Sequence, residues 1–185
     1  MPDHALSTKP VASDGIGEME PDSGAVKRRS SSWRGDAGPQ AGATQLRVRA
    51  LQLLTRRDHS RAELRAKLAG EAESADEVDA VLDVLQEQHL LSDQRYAVQR
   101  VAARGRRYGD ARLKQELRQT GVSDEDIATA LPEAGNEIER CQAVWAKKFD
   151  SLPQTPEERA KQTRFLQYRG FSGEVIRRVM RGTNQ

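Results

Sequence analysis

Apolar residues recur at helical spacing along most of this chain. The pattern opens at Leu46 and Ala50 and predicts a first helix that ends near Thr55, and no later segment alternates as a strand would. Serine or threonine precedes many of the following apolar segments as a helix N-cap, in several cases with an acidic residue three positions later. The predicted N-caps are Ser60, Ser74, Ser92, Ser123 and Thr155. Because these start signals lie close together, we expect short helices of roughly 8 to 16 residues.

The helical pattern repeats when the sequence is shifted by 49 residues, as from position 64 to position 113. The first shift aligns Leu64 with Leu113, Leu68 with Leu117, Ser74 with Ser123, Val78 with Ile127 and Leu82 with Leu131. The second aligns Leu117 with Leu166, Gly121 with Gly170, Val122 with Phe171, Ser123 with Ser172 and Ile127 with Ile176. The third copy departs at Gln162, and the same shift pairs Tyr96 with Trp145. A shift shared by core positions and a cap indicates tandem repeats.

We therefore predict an all-α fold, an elongated and curved array of three tandem three-helix repeats of about 49 residues each. The predicted repeats span residues 44–92, 93–134 and 135–185, and each could close its own core or share one with a neighbour. Residues 1–43 hold most of the proline and little apolar periodicity, which predicts a disordered N-terminal tail. A basic patch at residues 27–29 with Trp33 is either an auxiliary nucleic-acid contact or a solvated part of that tail.

Composition limits the class of protein. Aromatic residues make up 4% and charged residues 31% of the chain, which suits helices that pack through aliphatic side chains. Cys141 is the single cysteine and fits a reducing compartment as a small buried residue. No apolar run approaches the roughly 18 residues of a membrane span. We expect a cytoplasmic monomer without a membrane contact.

No catalytic or metal-binding motif is present. His4, His59 and His89 are isolated in sequence, and we expect surface or capping roles for them. The acids of residues 71–93 recur on what should be a solvated helix face, and no glycine-rich loop follows a strand. We predict no catalytic residue, no metal site and no cofactor, so the protein is not expected to be an enzyme.

Charge is strongly segregated although the formal net charge is only +2. Between positions 94 and 118, eight Lys and Arg residues oppose only Asp110 and Glu116, whereas positions 119–139 hold six acids and no Lys or Arg. A second basic cluster, between positions 159 and 185, opposes only Glu174. Such surfaces either bind phosphates or an acidic protein, or offset the acidic helix next door.

The candidate binding residues come from both basic clusters. Arg100, Arg104 and Arg107 are spaced to share one helical stripe, and Tyr108 could stack on a base or pack against a turn. The full set is Arg100, Arg104, Arg106, Arg107, Tyr108, Arg112, Lys114, Arg118, Arg164, Arg169, Arg177 and Arg178.

Four segments resemble the RecX family, regulatory proteins of the bacterial RecA recombinase. They read SRAELRAKL, LLSDQRYA, RGRRYGDARLKQELRQTGV and RFLQYRGFSGEVIRRVM, and the resemblance covers residues 46–180. It implies three tandem three-helix repeats that associate with the groove of the RecA–DNA filament and restrain strand exchange, ATP hydrolysis and coprotease activity. It also implies no catalytic residue and no cofactor. The basic residues of the middle repeat, from Arg100 to Arg118, would lie near the filament, with a weaker contact to single- or double-stranded DNA.

Two alternatives remain. The chain could be a helical DNA-binding protein or transcription regulator that acts independently of RecA, with residues 110–120 as a recognition helix. It could also be an adaptor that holds another protein and requires no DNA. Binding with and without RecA, and its dependence on salt, would separate these functions.

Overall fold

The computed structural model describes residues 39–182, which contain nine α-helices, one 3-10 helix and no strand. The first three helices are α1 (Pro39–Arg56), α2 (Arg61–Leu68) and α3 (Ala75–Glu87). The second three are α4 (Asp93–Arg104), α5 (Asp110–Gln119) and α6 (Asp124–Ala130), followed by the 3-10 helix (Leu131–Ala134). The last three are α7 (Glu137–Ala146), α8 (Pro156–Tyr168) and α9 (Gly173–Met180). The all-α prediction is confirmed over residues 39–182, and none of the helices there is long and apolar enough to cross a membrane.

The chain begins its first helix earlier than the apolar pattern predicted, at Pro39 instead of about Leu46. Ala43 packs against the first hydrophobic core, and a Cβ on Gly42 would lie 2.6 Å from Glu77 Oε1. Small residues therefore allow the first turns of α1 to pack closely against α3. A pattern of large apolar residues does not predict such a contact. The predicted tail up to residue 38, with its basic patch and His4, lies outside the described residues.

The predicted N-caps are confirmed. Ser74, Ser123 and Ser172, each 49 positions apart, accept a hydrogen bond from the backbone N–H three residues later. Among the helices of residues 39–182, only the one that Thr155 caps has the full reciprocal capping box, with Glu158. The carboxylate of Glu63 does not complete the box at Ser60, because it contacts His59 and Tyr96.

The apolar residues form three separate hydrophobic cores, one in each repeat. The first is built mainly by Leu46, Ala50, Leu64, Leu68, Val78, Leu82 and Leu85. The second contains Tyr96, Ala97, Val101, Leu113, Leu117, Val122 and Ile127, and the third Cys141, Val144, Leu166, Phe171, Ile176, Val179 and Met180. Of the two arrangements left open by the sequence, each repeat closes its own core.

Gln162 stands where the other repeats have a leucine, because its side chain forms hydrogen bonds at the longer loop between α7 and α8. It is buried, its Oε1 accepts from Trp145 Nε1 at 2.8 Å, and its Nε2 donates to the Ser151 carbonyl at 3.2 Å. The loop between α7 and α8 brings that carbonyl against the core, where it requires a donor.

The predicted pairing of Tyr96 with Trp145 is wrong. Tyr96 lies in the first turn of α4, whereas Trp145 lies in the last turn of α7. The residue of α7 at the corresponding helix position is Arg140, a shift of 44 instead of 49, counted from the first helical residues Asp93 and Glu137. The difference is absorbed in the loop between α7 and α8, which the shift of core leucines could not reveal.

The second and third repeats meet through their backbones. The N–H of Gly109, at the start of α5, donates to the Arg169 carbonyl at 2.9 Å, and the N–H of Ala111 donates to the Gly170 carbonyl at 3.2 Å. Gly170 has φ +84°, and a Cβ on either Gly109 or Gly170 would overlap atoms of the other repeat. Arg140 completes this joint by donating to the carbonyls of Gly105 (3.2 Å) and Tyr108 (2.7 Å) and by pairing with Asp110.

The first and second repeats meet in the same way, 49 residues earlier. Ser60 Oγ donates to the Thr120 carbonyl at 2.6 Å, at the positions equivalent to Gly109 and Arg169. Gly121 has φ +78°, and its Cβ would lie 2.6 Å from Ala62 Cβ. At the second joint the N–H of Asp110, the first residue of α5, donates to Glu137 Oε1 of the next repeat at 3.0 Å. The N–H of Arg61, the first residue of α2, likewise donates to Asp93 Oδ1 at 2.7 Å.

His59 is buried at this first joint, which corrects the expected surface or capping role. Its Nδ1 lies 3.0 Å from Glu63 Oε2, and Tyr96 donates its hydroxyl to Glu63 Oε1 at 3.0 Å. Burial lowers the pKa of His59 below its ordinary value of 6.5, and the hydrogen bond with Glu63 offsets only part of that effect. Burial raises the pKa of Glu63, but hydrogen bonds from His59 and Tyr96 outweigh it, with Arg57 adding to them, and leave the pKa lowered.

We expect the Gly109→Ala substitution to lower the free energy of unfolding by about 1–3 kcal/mol, because the new methyl group overlaps the Gly170 backbone. The matched control is Gly70→Ala, where no atom lies within 4 Å of the added Cβ, so stability should change by less than about 1 kcal/mol. Urea unfolding followed by circular dichroism measures both. Equal effects of the two substitutions would show that the close approach at Gly109 is not a constraint.

The first joint should make stability depend on pH. The folded protein binds a proton at His59 less tightly than the unfolded chain, so the free energy of unfolding should fall as the pH drops below 6.5. The His59→Gln variant lacks this titration and should show a smaller decrease between about pH 7 and about pH 5.5. Urea unfolding at a series of pH values tests this, and an unchanged slope in the variant would contradict it.

Candidate binding surface of the second and third repeats

The predicted helical stripe of Arg100, Arg104 and Arg107 is interrupted. Helix α4 ends at Arg104, and Gly105 is its C-cap, so Arg106 and Arg107 lie in the turn before α5. Arg107 is therefore not on the α4 stripe, because the chain has left the helix before reaching it. Its backbone carbonyl instead accepts from Arg169 Nη1 at 3.3 Å across the second joint.

Three of the candidate side chains, Arg104, Tyr108 and Arg112, form one cluster with Glu116. Arg104 Nε lies 2.7 Å from Glu116 Oε2, and Arg112 Nε lies 3.3 Å from Glu116 Oε1. The guanidinium carbons of Arg104 and Arg112 lie 4.7 Å and 4.5 Å from the Tyr108 ring centroid. Tyr108 therefore packs against two arginines and against the second core, which is the packing outcome that the sequence left open. The hydrogen bond that Arg112 donates to Glu116 is the largest cause of the raised pKa of Arg112.

Other candidates point into solvent without an acidic partner. Within residues 39–182, five of the predicted residues are exposed and form no ion pair; they are Arg106, Arg107, Lys114, Arg164 and Arg177. Arg118 is also exposed but lies 2.7 Å from Asp124 of the acidic helix α6. Arg178 is exposed, while Arg100 and Arg169 are half-buried. The basic cluster thus divides into a structural part around Glu116 and an exposed part available to a partner.

The first repeat is different. Its arginines are mostly paired with nearby acids: Arg49 with Glu71 at 3.1 Å, and Arg65 with Asp79 at 2.9 Å. Arg61 contacts both Asp79 at 3.5 Å and Asp83 at 2.7 Å. The exposed positive charge without an acidic partner is therefore more prominent in the second and third repeats.

Comparison with known proteins identifies this repeat architecture. Family models for RecX match in chain order, the first three-helix domain at residues 47–85, the second at 92–131 and the third at 136–180. A relative from Ralstonia nicotianae named Regulatory protein RecX is 46% identical over 140 residues, which is 75% of this chain and 88% of that protein. The chain belongs to the RecX family.

Solved RecX structures agree with the fold. A crystal structure of regulatory protein RecX is 25% identical and aligns with a TM-score of 0.66, covering 76% of this chain and 73% of the other. The crystal structure of RecX from Lactobacillus salivarius aligns with a TM-score of 0.68 over 77% of this chain and 97% of the other, and at 20% identity it supports the fold alone. Three tandem three-helix RecX domains are therefore established here.

The RecX domains hold no cluster suited to metal chemistry in the part of the chain that the structure describes, since no group of three His, Cys, Asp or Glu side chains could hold an ion. Cys141 is buried in the third core, and burial raises the pKa of its thiol to about 12. The thiol is therefore protonated and unreactive near neutral pH.

Sequence reasoning missed the exposed end of α8. Tyr168 is 80% exposed and lines a groove with Arg112 and three glutamines, Gln115, Gln119 and Gln167. A detectable signal was present, because Tyr168 lies two positions after the buried Leu166 and so points away from the core. The glutamines carry no charge and were not considered.

We expect the Glu116→Gln variant to be less stable by about 1–3 kcal/mol, because it leaves the half-buried Arg104 and Arg112 without their anionic partner. The control is Glu125→Gln, an exposed acid without an ion pair in the described residues, where the change should stay within about 0.5 kcal/mol. Chemical unfolding compares the two. If both variants match the wild type, the Glu116 cluster has no structural role.

Proposed function

We propose that this RecX protein regulates RecA by binding the RecA–DNA filament through the exposed basic residues of its second and third repeats. Binding restrains strand exchange, ATP hydrolysis and coprotease activity, and so modulates recombination and DNA repair. The protein acts without catalysis or a cofactor, as a cytoplasmic monomer. The observation that carries the proposal is the set of exposed, unpaired cations Arg106, Arg107, Lys114, Arg164 and Arg177 in a member of a family of regulatory proteins.

The distribution of charge supports a polyanionic or acidic partner. Exposed cations without an ion pair attract phosphates and acidic protein surfaces, and no existing ion pair has to break when they bind. Contributions from several such contacts add along an extended partner. Inhibition then results from holding neighbouring subunits, with no bond made or broken.

The choice of residues for a test follows from the ion pairs. Replacing Arg104 or Arg112 would disturb the Glu116 cluster, so loss of activity would not identify a contact. Arg106 and Lys114 are exposed and unpaired in the described part of the chain, and their side chains can be changed without removing a structural interaction.

The double variant Arg106→Glu with Lys114→Glu should inhibit RecA poorly. We expect the protein concentration for half-maximal inhibition of single-stranded-DNA-dependent ATP hydrolysis to rise by about tenfold or more. The matched control is Arg56→Glu with Lys67→Glu, which makes the same charge change at exposed positions of the first repeat. Equal inhibition by the two double variants would reject the second repeat as the contact surface.

A second candidate, DNA binding independent of RecA, is favoured by the same exposed cations. It predicts equal binding to DNA with and without RecA and a steep decrease of affinity with salt. Inhibition of the ATPase at a salt concentration that abolishes binding to bare DNA would exclude it.

A further inference from the structure

A groove of about 490 Å³ lies between α5 and α8, at the joint of the second and third repeats. Its volume falls in the range of about 300–1,000 Å³ typical of ligand sites. Arg112, Gln115 and Gln119 line it on α5, and Gln167 and Tyr168 on α8. Of the basic candidates only Arg112 lines this groove in the described structure, so they do not explain the glutamines and the tyrosine in its lining.

The floor of the groove is electrically balanced. The Glu116 carboxylate lies between Arg104 and Arg112, and Arg112 Nη1 also donates to the Tyr168 carbonyl at 3.2 Å. An anion in the groove would meet a carboxylate next to each arginine. The lining therefore favours a neutral polar group over a phosphate or an acidic side chain.

Tyr168 supplies an aromatic surface at the edge of the groove. The Arg112 guanidinium carbon lies 5.6 Å from its ring centroid, and the residue is 80% exposed. A planar group can therefore approach the ring face that is not turned to Arg112. Stacking on an exposed tyrosine is a common way to bind an unpaired base.

The glutamines supply hydrogen bonds of the matching kind. Gln115, Gln119 and Gln167 are exposed, and their side-chain amides form no hydrogen bond within residues 39–182. Each amide offers both donors and an acceptor, as the edges of nucleobases do. An apolar peptide side chain would use neither group.

Cations without an acidic partner stand beside the groove, whereas the arginines at its floor are paired with Glu116. Lys114 and Arg118 neighbour Gln115 and Gln119 on α5, and Arg164 lies one helical turn before Tyr168 on α8. A nucleotide chain carries its phosphates outside its bases, so the same strand could reach these cations with a base in the groove.

We propose that this groove binds an unpaired base of single-stranded DNA, stacked on Tyr168 and hydrogen-bonded by the glutamines of α5 and α8. The inference rests on the proposed function in one respect, since the strand that reaches the groove in the cell is the DNA of the RecA filament. Binding of the strand to the groove itself requires no RecA. A duplex offers no free base face and gains nothing from Tyr168.

The test compares two oligonucleotides of roughly 15 nucleotides and equal charge, one of thymidines and one of abasic residues, by fluorescence anisotropy without RecA. The wild type should bind the thymidine strand more tightly than the abasic strand. Tyr168→Ala should weaken thymidine binding by about 5- to 150-fold and leave abasic and duplex binding unchanged. Tyr168→Phe keeps the ring and should bind as the wild type does. Tyr168 is exposed at the end of α8, so its truncation removes no core contact.

Three results would overturn the inference. One is equal weakening of thymidine, abasic and duplex binding by Tyr168→Ala, and another is no preference of the wild type for thymidines. The third is unchanged binding of the thymidine strand by Tyr168→Ala with loss of RecA inhibition, which would assign the groove to a protein contact and leave the proposed function standing. Loss of inhibition in Arg106→Glu with Lys114→Glu tests the proposed function separately.

Discussion

The structure depends on how closely two backbones approach at each joint. The second helix of one repeat begins against the glycine turn that ends the second helix of the next, at Gly121 and at Gly170. Both glycines have positive φ, and neither tolerates a Cβ without displacement of its neighbour. Because the joints use backbone and polar groups, the three apolar cores remain separate. The order of repeats is thus maintained without a continuous hydrophobic interior.

Charge serves two purposes in these repeats. Arg104, Arg112 and Arg140 satisfy carboxylates and carbonyls at or near the second joint, whereas Arg106 and Lys114, a few residues away, remain in solvent. Ion pairs of half-buried guanidiniums are strengthened by fixed geometry and by partners that are already desolvated. Exposed cations contribute little to stability and can instead bind a polyanion. Neighbouring positions in one basic segment therefore differ in role. Net charge alone does not tell a structural arginine from one that is exposed to a partner.

Local rules predicted much of the fold. The N-caps and the buried leucines depend on residues a few positions apart, so the shared spacing of core leucines and of the caps Ser74, Ser123 and Ser172 predicted the repeats. The contacts of His59 and the role of Glu116 depend on helices brought together only by folding, and no local pattern reports them. The register of α7 was mispredicted because a loop insertion separates it from the aligned core of α8. The role of the candidate residues in binding stays a prediction, and the division between their structural and exposed members required the ion pairs.

Helix α8 begins at Pro156, three residues before Arg159, the position equivalent to the first residue of α5, and this changes what its N-terminus can bind. In the second repeat, the N–H groups of Gly109 and Ala111 are open to the following unit. The corresponding residues of the third repeat, Glu158 and Ala160, already lie inside α8, and the N–H of Glu158 donates to Thr155 Oγ. These N–H groups are bonded within the third repeat, so they cannot form a joint of the kind that Gly109 and Ala111 form with Arg169 and Gly170.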